Sequence, residues 1–201
     1  QFTLFSFFML FDYLHYDIIH IMRLTIWGFL LCIGLSTTLW GTPYVLEPTR
    51  SSISFDASHL GQGVIQGHFK SITATLNWTE SSEDFYTTGT LEVKSLDTGN
   101  RVRDKHLLSR VFFNESRYPT ISFSSTELTP SQDHYIVSGT LHLKGISLPH
   151  SFPIIITPTQ NNQIIITADT NVNRHDYSVS AYKKIINPLI RVYLELVFVQ
   201  D

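Results

Sequence analysis

The sequence predicts an all-β protein: a closed antiparallel β-barrel of about eight strands, with one short helix near its mouth. Three observations predict it. Apolar residues recur with period two in run after run, the pattern of strands that bury one face. Turn-forming clusters separate the runs, at Ser81-Ser82-Glu83-Asp84, Thr129-Pro130-Ser131-Gln132-Asp133 and Gln160-Asn161-Asn162. One segment, residues 100–111, replaces the alternation with helical spacing. Strands with one apolar face must cover it; closing the sheet on itself does so and leaves no edge strands. A two-sheet sandwich is the alternative architecture.

The strands follow in order. Ile53, Phe55 and Ala57 alternate with Ser52, Ser54 and Asp56; Ile72, Ala74, Leu76 and Trp78 alternate with Thr73, Thr75 and Asn77. Gly89, Leu91 and Val93 share one face of the next run, and Ile121, Phe123 and Ser125 that of the one after. Tyr135, Val137, Gly139, Leu141 and Leu143 form the longest alternation. Residues 152–156 and 164–168 are more uniformly apolar but β-branched, and Val192, Leu194, Leu196 and Phe198 close the chain. In the exception, Val102, Leu107, Leu108 and Val111 fall near helical spacing, and Asn100 is suited to cap the helix.

The first 41 residues read differently. Met22-Arg23 precedes an apolar run from Leu24 to Leu35, then Ser36-Thr37-Thr38-Leu39-Trp40-Gly41. A short basic start, an apolar centre and a small-residue end form the layout of a secretory signal peptide, residues 22–41. The apolar run falls short of the roughly 20 residues a bilayer requires, so a membrane anchor is the weaker reading. Residues 1–21 are then over-extended translation with no fold, and residues 42–201 form one domain. Its N-terminus is expected between Thr38 and Tyr44, and the protein is expected to be exported. The single cysteine, Cys32, lies in the apolar run, so the mature chain has no thiol or disulfide chemistry. Losing Arg23, Asp12 and Asp17 changes the net charge from −3 to −2. No basic run is present, which argues against nucleic acid.

An eight-stranded barrel is wide enough either to be filled by side chains or to hold one small ligand. Ala57, Gly89, Ser125 and Gly139 are small inner-face residues that leave room near the axis or relieve crowding; the pattern leaves both readings open. The candidate lining is apolar. It comprises Ile53, Phe55, Leu91, Val93 and Phe123 from the first half, with Val137, Gly139, Leu141, Val192 and Leu194 from the second. Such a lining suits a long hydrocarbon, which gains about 0.8 kcal/mol per CH₂ group on leaving water. Candidates for the mouth are His59, Arg103, Asp104, His106, Arg174 and Asp176. Arg103 is suited to hold a phosphate or carbonyl oxygen through its guanidinium fork. Alternatively Arg103 or Arg174 pairs with Asp104 or Asp176 and pins the helix to the strands. No G-x-S-x-G, H-E-x-x-H or P-loop occurs. His59, Asp104 and His106 are the residues a hydrolase or metal-dependent enzyme would use. Neither catalytic nor metal-binding residues are assigned, and no cofactor is expected.

One block narrows these alternatives. Residues 95–109 read S-L-D-T-G-N-R-V-R-D-K-H-L-L-S, and residues 118–126 read Y-P-T-I-S-F-S-S-T. Together with Ser58-His59-Leu60-Gly61, Gly67-His68-Phe69, Gly139-Thr140-Leu141-His142-Leu143-Lys144-Gly145-Ile146 and Asn173-Arg174-His175-Asp176-Tyr177, this order resembles the YceI-like family from about Tyr44 to Val199. The resemblance implies a lipocalin-like periplasmic barrel that binds an isoprenoid (polyisoprenoid) lipid or another long-chain lipid in a tunnel. It tips the hollow-or-filled question toward the tunnel. A stress-related barrel with a filled core, transient membrane contact and a homodimeric state remain open alongside it. The sequence departs from the family at Ser178, where a glycine usually follows the aromatic residue of the N-R-x-D-F turn, and at Asn187-Pro188, before the last strand.

Overall fold

The computed structural model describes residues 43–79, 81 and 83–200. The expectations for residues 1–41, signal peptide included, lie outside the described residues. Eleven strands are present among the described residues: β1 (Pro43–Leu46), β2 (Ser52–His59), β3 (Gly63–Phe69), β4 (Ile72–Asn77), β5 (Tyr86–Glu92), β6 (Leu96–Asp97), β7 (Thr120–Ser131), β8 (His134–Leu143), β9 (Ile146–Pro158), β10 (Gln163–Asn173) and β11 (Leu189–Gln200). Among the described residues one α-helix, α1 (Arg101–Leu108), joins β6 to β7.

The sheet closes. Eight strands form an antiparallel ring in the order β1, β4, β5, β7, β8, β9, β10, β11 and back to β1, and β2, β3 and β6 extend it. Those three continue strands that are broken in the middle. A 3-10 turn at Pro48–Arg50 separates β1 from β2, yet both pair with β11, at Leu46–Phe198 and Ser52–Glu195. Ser51 bridges the break, its hydroxyl accepting the Val197 N–H at 2.9 Å. A second 3-10 turn, Val93–Ser95, separates β5 from β6, and the Lys70 N–H donates to the Ser95 carbonyl beside it. The barrel is thus eight strands in the mechanical sense, three of them hinged.

The interior differs along the axis. At the end where β4 turns into β5, Leu46, Leu76, Trp78, Leu128, Ile164 and Phe198 fill the barrel, with Leu76 and Phe198 fully buried. At the other end the β2–β3, β8–β9 and β10–β11 connections and α1 surround an opening. Filled core and hollow tunnel, alternatives at the level of sequence, occupy different depths of one barrel.

Alpha1 ends sooner than expected. The Asn100 side chain caps it as anticipated, accepting the Val102 and Arg103 N–H groups at 3.0 and 3.1 Å. The helix stops at Leu108 because Ser109 turns extended and its hydroxyl donates to the His106 carbonyl at 2.6 Å. Of the four residues at helical spacing, Val102 and Val111 are exposed, while Leu107 and Leu108 pack toward the core.

Beta9 holds an irregularity that shapes the wall. A two-residue turn, Lys144-Gly145 with φ of 51° and 80°, makes Leu143 and Ile146 a pair. Even-numbered residues of β9 therefore bond toward β8, and odd-numbered ones point toward β10. Pro149 and Pro153 are odd-numbered and have no N–H to offer β10. The β9–β10 ladder runs from Pro158–Ile164 to Ile154–Ala168 and stops where Pro153 would be next. Beyond that point the two strands separate toward the mouth, with His150 Nε2 and Thr170 Oγ1 3.5 Å apart across the gap.

Candidate functional site

Period-two alternation sends one face of every strand inward, and near the mouth that face encloses a cavity of about 620 Å³. This lies within the ordinary range of small-molecule sites. Ile53, Phe55, Leu91, Phe123, Val137, Leu141, Val192 and Leu194 line it, each a position anticipated from the alternation.

Two anticipated lining residues do not. Val93 leaves the strand with the 3-10 turn, donates its N–H to the Pro119 carbonyl at 2.8 Å and is buried away from the cavity. Gly139 faces inward, but the Phe123 ring lies across it: a Cβ there would collide with that ring and with the Ser124 carbonyl oxygen. The glycine makes room for Phe123, and Phe123 meets the cavity. Gly89 is different. A Cβ on it would meet only Ala74, at 3.9 Å, and the residue lines open space.

The six mouth candidates divide. His59, Arg103, His106 and Arg174 line the cavity; Asp104 and Asp176 do not. The Asp104 carboxylate turns outward and accepts both the N–H and the hydroxyl of Thr98, at 3.0 and 2.5 Å. Asp176 is exposed and accepts from Asn173 Nδ2 at 3.0 Å. Neither pairs with Arg103 or Arg174. Short polar groups nearby satisfy both acids, so the expected Arg–Asp pins are replaced by other contacts.

Arg174 makes the most extensive of these. Its guanidinium is buried and donates to four backbone carbonyls: Asn187, Val179, Ala181 and Ile186, at 3.1, 2.6, 2.8 and 2.9 Å. It therefore organises the whole β10–β11 connection from one point. Burial pushes its pKa below the usual arginine value, and no carboxylate lies within ion-pair distance among the described residues.

His59, Asp104 and His106 do not assemble. Asp104 is committed to Thr98, and the His106 ring packs edge-on against Phe112 at 5.2 Å and against Tyr182 at 5.8 Å. Among the described residues, no group of three His, Cys, Asp or Glu is placed to hold a metal. His59 has a different use. It pairs with Ile186 across the mouth, and its Nδ1 is buried with no hydrogen-bond partner.

Several lining residues escaped the sequence reading. Phe112, Phe113, Tyr182 and Ile186 come from connections rather than strands, where periodicity carries no signal. His150 and Thr170 are inward residues of β9 and β10. The signal for His150 is its alternation with Phe152 and Ile154, which extends the inward face of β9 upstream of residue 152. Burial holds the His150 imidazole below its ordinary pKa.

The comparisons with known proteins agree with this architecture. BcnA of Burkholderia cenocepacia superposes with a TM-score of 0.71 at 18% identity, covering 76% of this chain and 98% of that one. A polyisoprenoid binding domain from Saccharophagus degradans superposes at 0.66 and 16% identity, covering 79% and 98%. In sequence, the UPF0312 protein plu2095 of Photorhabdus laumondii is 36% identical over 98 residues, 48% of this chain and 51% of that protein. Protein YceI of Salmonella arizonae is 31% identical over 104 residues, 51% of this chain and 54% of that protein. The chain spans about half the length of the curated relatives it matches. The YceI-like domain itself matches from residue 44 to residue 198, from within β1 to within β11, and the chain belongs to the YceI-like family.

Proposed function

We propose that this protein binds an isoprenoid lipid in the hollow half of its barrel and carries it through the periplasm. One observation carries the reading: a cavity of about 620 Å³ with an almost wholly apolar wall, open at one end and stopped by packed side chains at the other. A water-filled cavity of that character is costly, and a hydrocarbon chain gains about 0.8 kcal/mol per CH₂ on entering it. The ring of strands holds the site formed before the ligand arrives, so little ordering accompanies binding. The similarity to a polyisoprenoid binding domain supports the isoprenoid class. Arg103, His106 and the unpartnered Nδ1 of His59 stand at the mouth, where a polar head group would end. The lipid is cargo, and no cofactor or catalytic step is required. Export follows from residues 22–41 acting as a cleaved signal.

Organic-solvent extraction of the purified protein, followed by mass spectrometry, tests the reading. A long-chain isoprenoid approaching one molecule per barrel is expected. Protein recovered from the periplasm without hydrocarbon, and unable to take up an added isoprenoid, overturns it. N-terminal sequencing of the same fraction should begin between Thr38 and Tyr44.

A further inference from the structure

We propose that the rim of the barrel mouth docks onto an anionic lipid bilayer, placing the cavity entrance against the membrane surface. The proposal rests on the lipid-carrier reading and adds the partner from which cargo is exchanged.

Ten large apolar side chains are exposed among the described residues, and seven sit at the mouth end. Leu60 is 76% exposed, Val102 81%, Val111 55%, Tyr182 51% and Leu189 52%. They belong to one continuous rim. The Leu60 N–H donates to the Ile185 carbonyl at 2.8 Å, joining the β2–β3 turn to the β10–β11 connection. Tyr182 stacks on Phe112 with ring centres 5.9 Å apart, joining that connection to the segment after α1. Val102 stands on α1 and borders the cavity itself. Apolar side chains at the tips of loops around an apolar entrance offer water nothing to bond to; the interface of a bilayer accepts them.

Charge selects the kind of surface. Segments 101–119 and 174–188 hold eight cations, Arg101, Arg103, Lys105, Arg110, Arg117, Arg174, Lys183 and Lys184, against three carboxylates, Asp104, Glu115 and Asp176. The rim is strongly positive on a chain whose net charge is −3. Arg101, Lys105, Arg110, Lys183 and Lys184 are exposed. A second copy of this chain is the poorer occupant, because a two-fold contact would set one positive rim against another. An anionic lipid surface complements both the charge and the apolar tips.

The test is flotation of the full-length protein with phosphatidylcholine vesicles prepared with and without phosphatidylglycerol. Partitioning is expected to favour the anionic vesicles and to fall when salt rises from about 0.1 M toward 1 M, as screening shortens the reach of the rim charges. Lys183→Glu with Lys184→Glu should lower the anionic-vesicle partition coefficient at least tenfold. Leu60→Asp with Val111→Asp should lower it further, while Ile155→Asp, exposed on the barrel wall, should leave it at the parent value. The Ile155→Asp control carries the same N-terminal residues, so any membrane affinity of residues 1–42 cancels. Equal partitioning of rim variants, wall control and parent overturns the proposal. So does a loss of self-association in the rim variants with no change on vesicles. Solvent-extractable lipid, measured on the same samples, separates the two readings: vesicle binding without cargo refutes the carrier, and cargo without vesicle binding refutes the docking rim.

Discussion

Arg103 and Thr98 are joined twice across the start of α1: the guanidinium donates through Nε to the Thr98 hydroxyl at 2.8 Å and through Nη2 to the Thr98 carbonyl at 2.7 Å. The hydroxyl in turn donates a hydrogen bond to the Asp104 carboxylate. Arg103 and Asp104 therefore cooperate through an intervening threonine rather than by contact. One edge of the guanidinium is spent on this bracket, and the residue still borders the cavity.

Thr98→Val should release α1 and lower stability by about 1–3 kcal/mol, the cost of stranding bonded polar groups, read from chemical denaturation. Arg103→Ala should cost a similar amount. It should also weaken binding of a phosphate- or quinone-bearing isoprenoid about tenfold more than Thr98→Val does, with little difference for a headless isoprenoid. Identical ligand losses in the two variants would assign Arg103 wholly to the bracket.

Gly89 is the position from which to block the cavity. Gly89→Leu places a side chain into open space beside Ala74, so the protein should fold with a melting temperature near that of the parent and co-purify with several-fold less lipid. Gly139→Ala, by contrast, forces Phe123 and the Ser124 backbone apart. It should cost about 1–3 kcal/mol by overpacking, and a bulkier residue there should not fold. Lipid content and thermal unfolding of the two variants discriminate between them.

Ser178 follows the buried Tyr177 and sits at φ 56°, the left-handed region where a Cβ is unfavourable. The departure from the family's usual glycine thus falls where glycine has a physical advantage. Ser178→Gly should stabilise the protein by about 1 kcal/mol, visible as a rise in melting temperature, because the strain is relieved while the carbonyl that accepts from Lys144 Nζ remains. An unchanged or lower melting temperature contradicts this.

Stability should decline on mild acidification. His150 has its pKa held below the ordinary imidazole value by burial, and His175 is lowered in the same direction, chiefly by desolvation and then by Arg174. The unfolded chain binds protons that the folded one refuses. The stabilising difference is therefore complete above about pH 6.5 and is lost as pH falls through the unfolded value toward the folded one. His150→Leu should remove part of this slope. Its unfolding free energy relative to the parent should improve steadily from about pH 7 to about pH 5. Parallel pH profiles would show that His150 takes up its proton without penalty in the fold.

The barrel was legible because period two is enforced by burial. The runs around Ile53, Ile72, Leu91, Phe123, Val137 and Val192 each keep one face inward, and most of their members meet the cavity. Beta3 was harder. Gly63 and Gly67 dilute its pattern, and Gly67 is there to receive the Phe55 ring from the paired strand, a requirement set by a residue twelve positions away. Val93 followed the alternation yet left the wall, since a 3-10 turn shifts the phase without altering composition. The mouth was half legible. Residue types marked Arg103 and Arg174 as unusual, but their partners are carbonyls and a threonine hydroxyl, which no charge pattern announces.

The proline-stopped ladder has a consequence for the protein's behaviour in a crowded compartment. Two strand edges parted within a wall would ordinarily be an invitation, because unpaired amide hydrogens template a foreign strand. Along the parted stretch of β9, two of the positions aimed at the gap are prolines, and a passing chain would find an interrupted row of donors there. The barrel can keep a seam in its side without becoming a seed for intermolecular sheet.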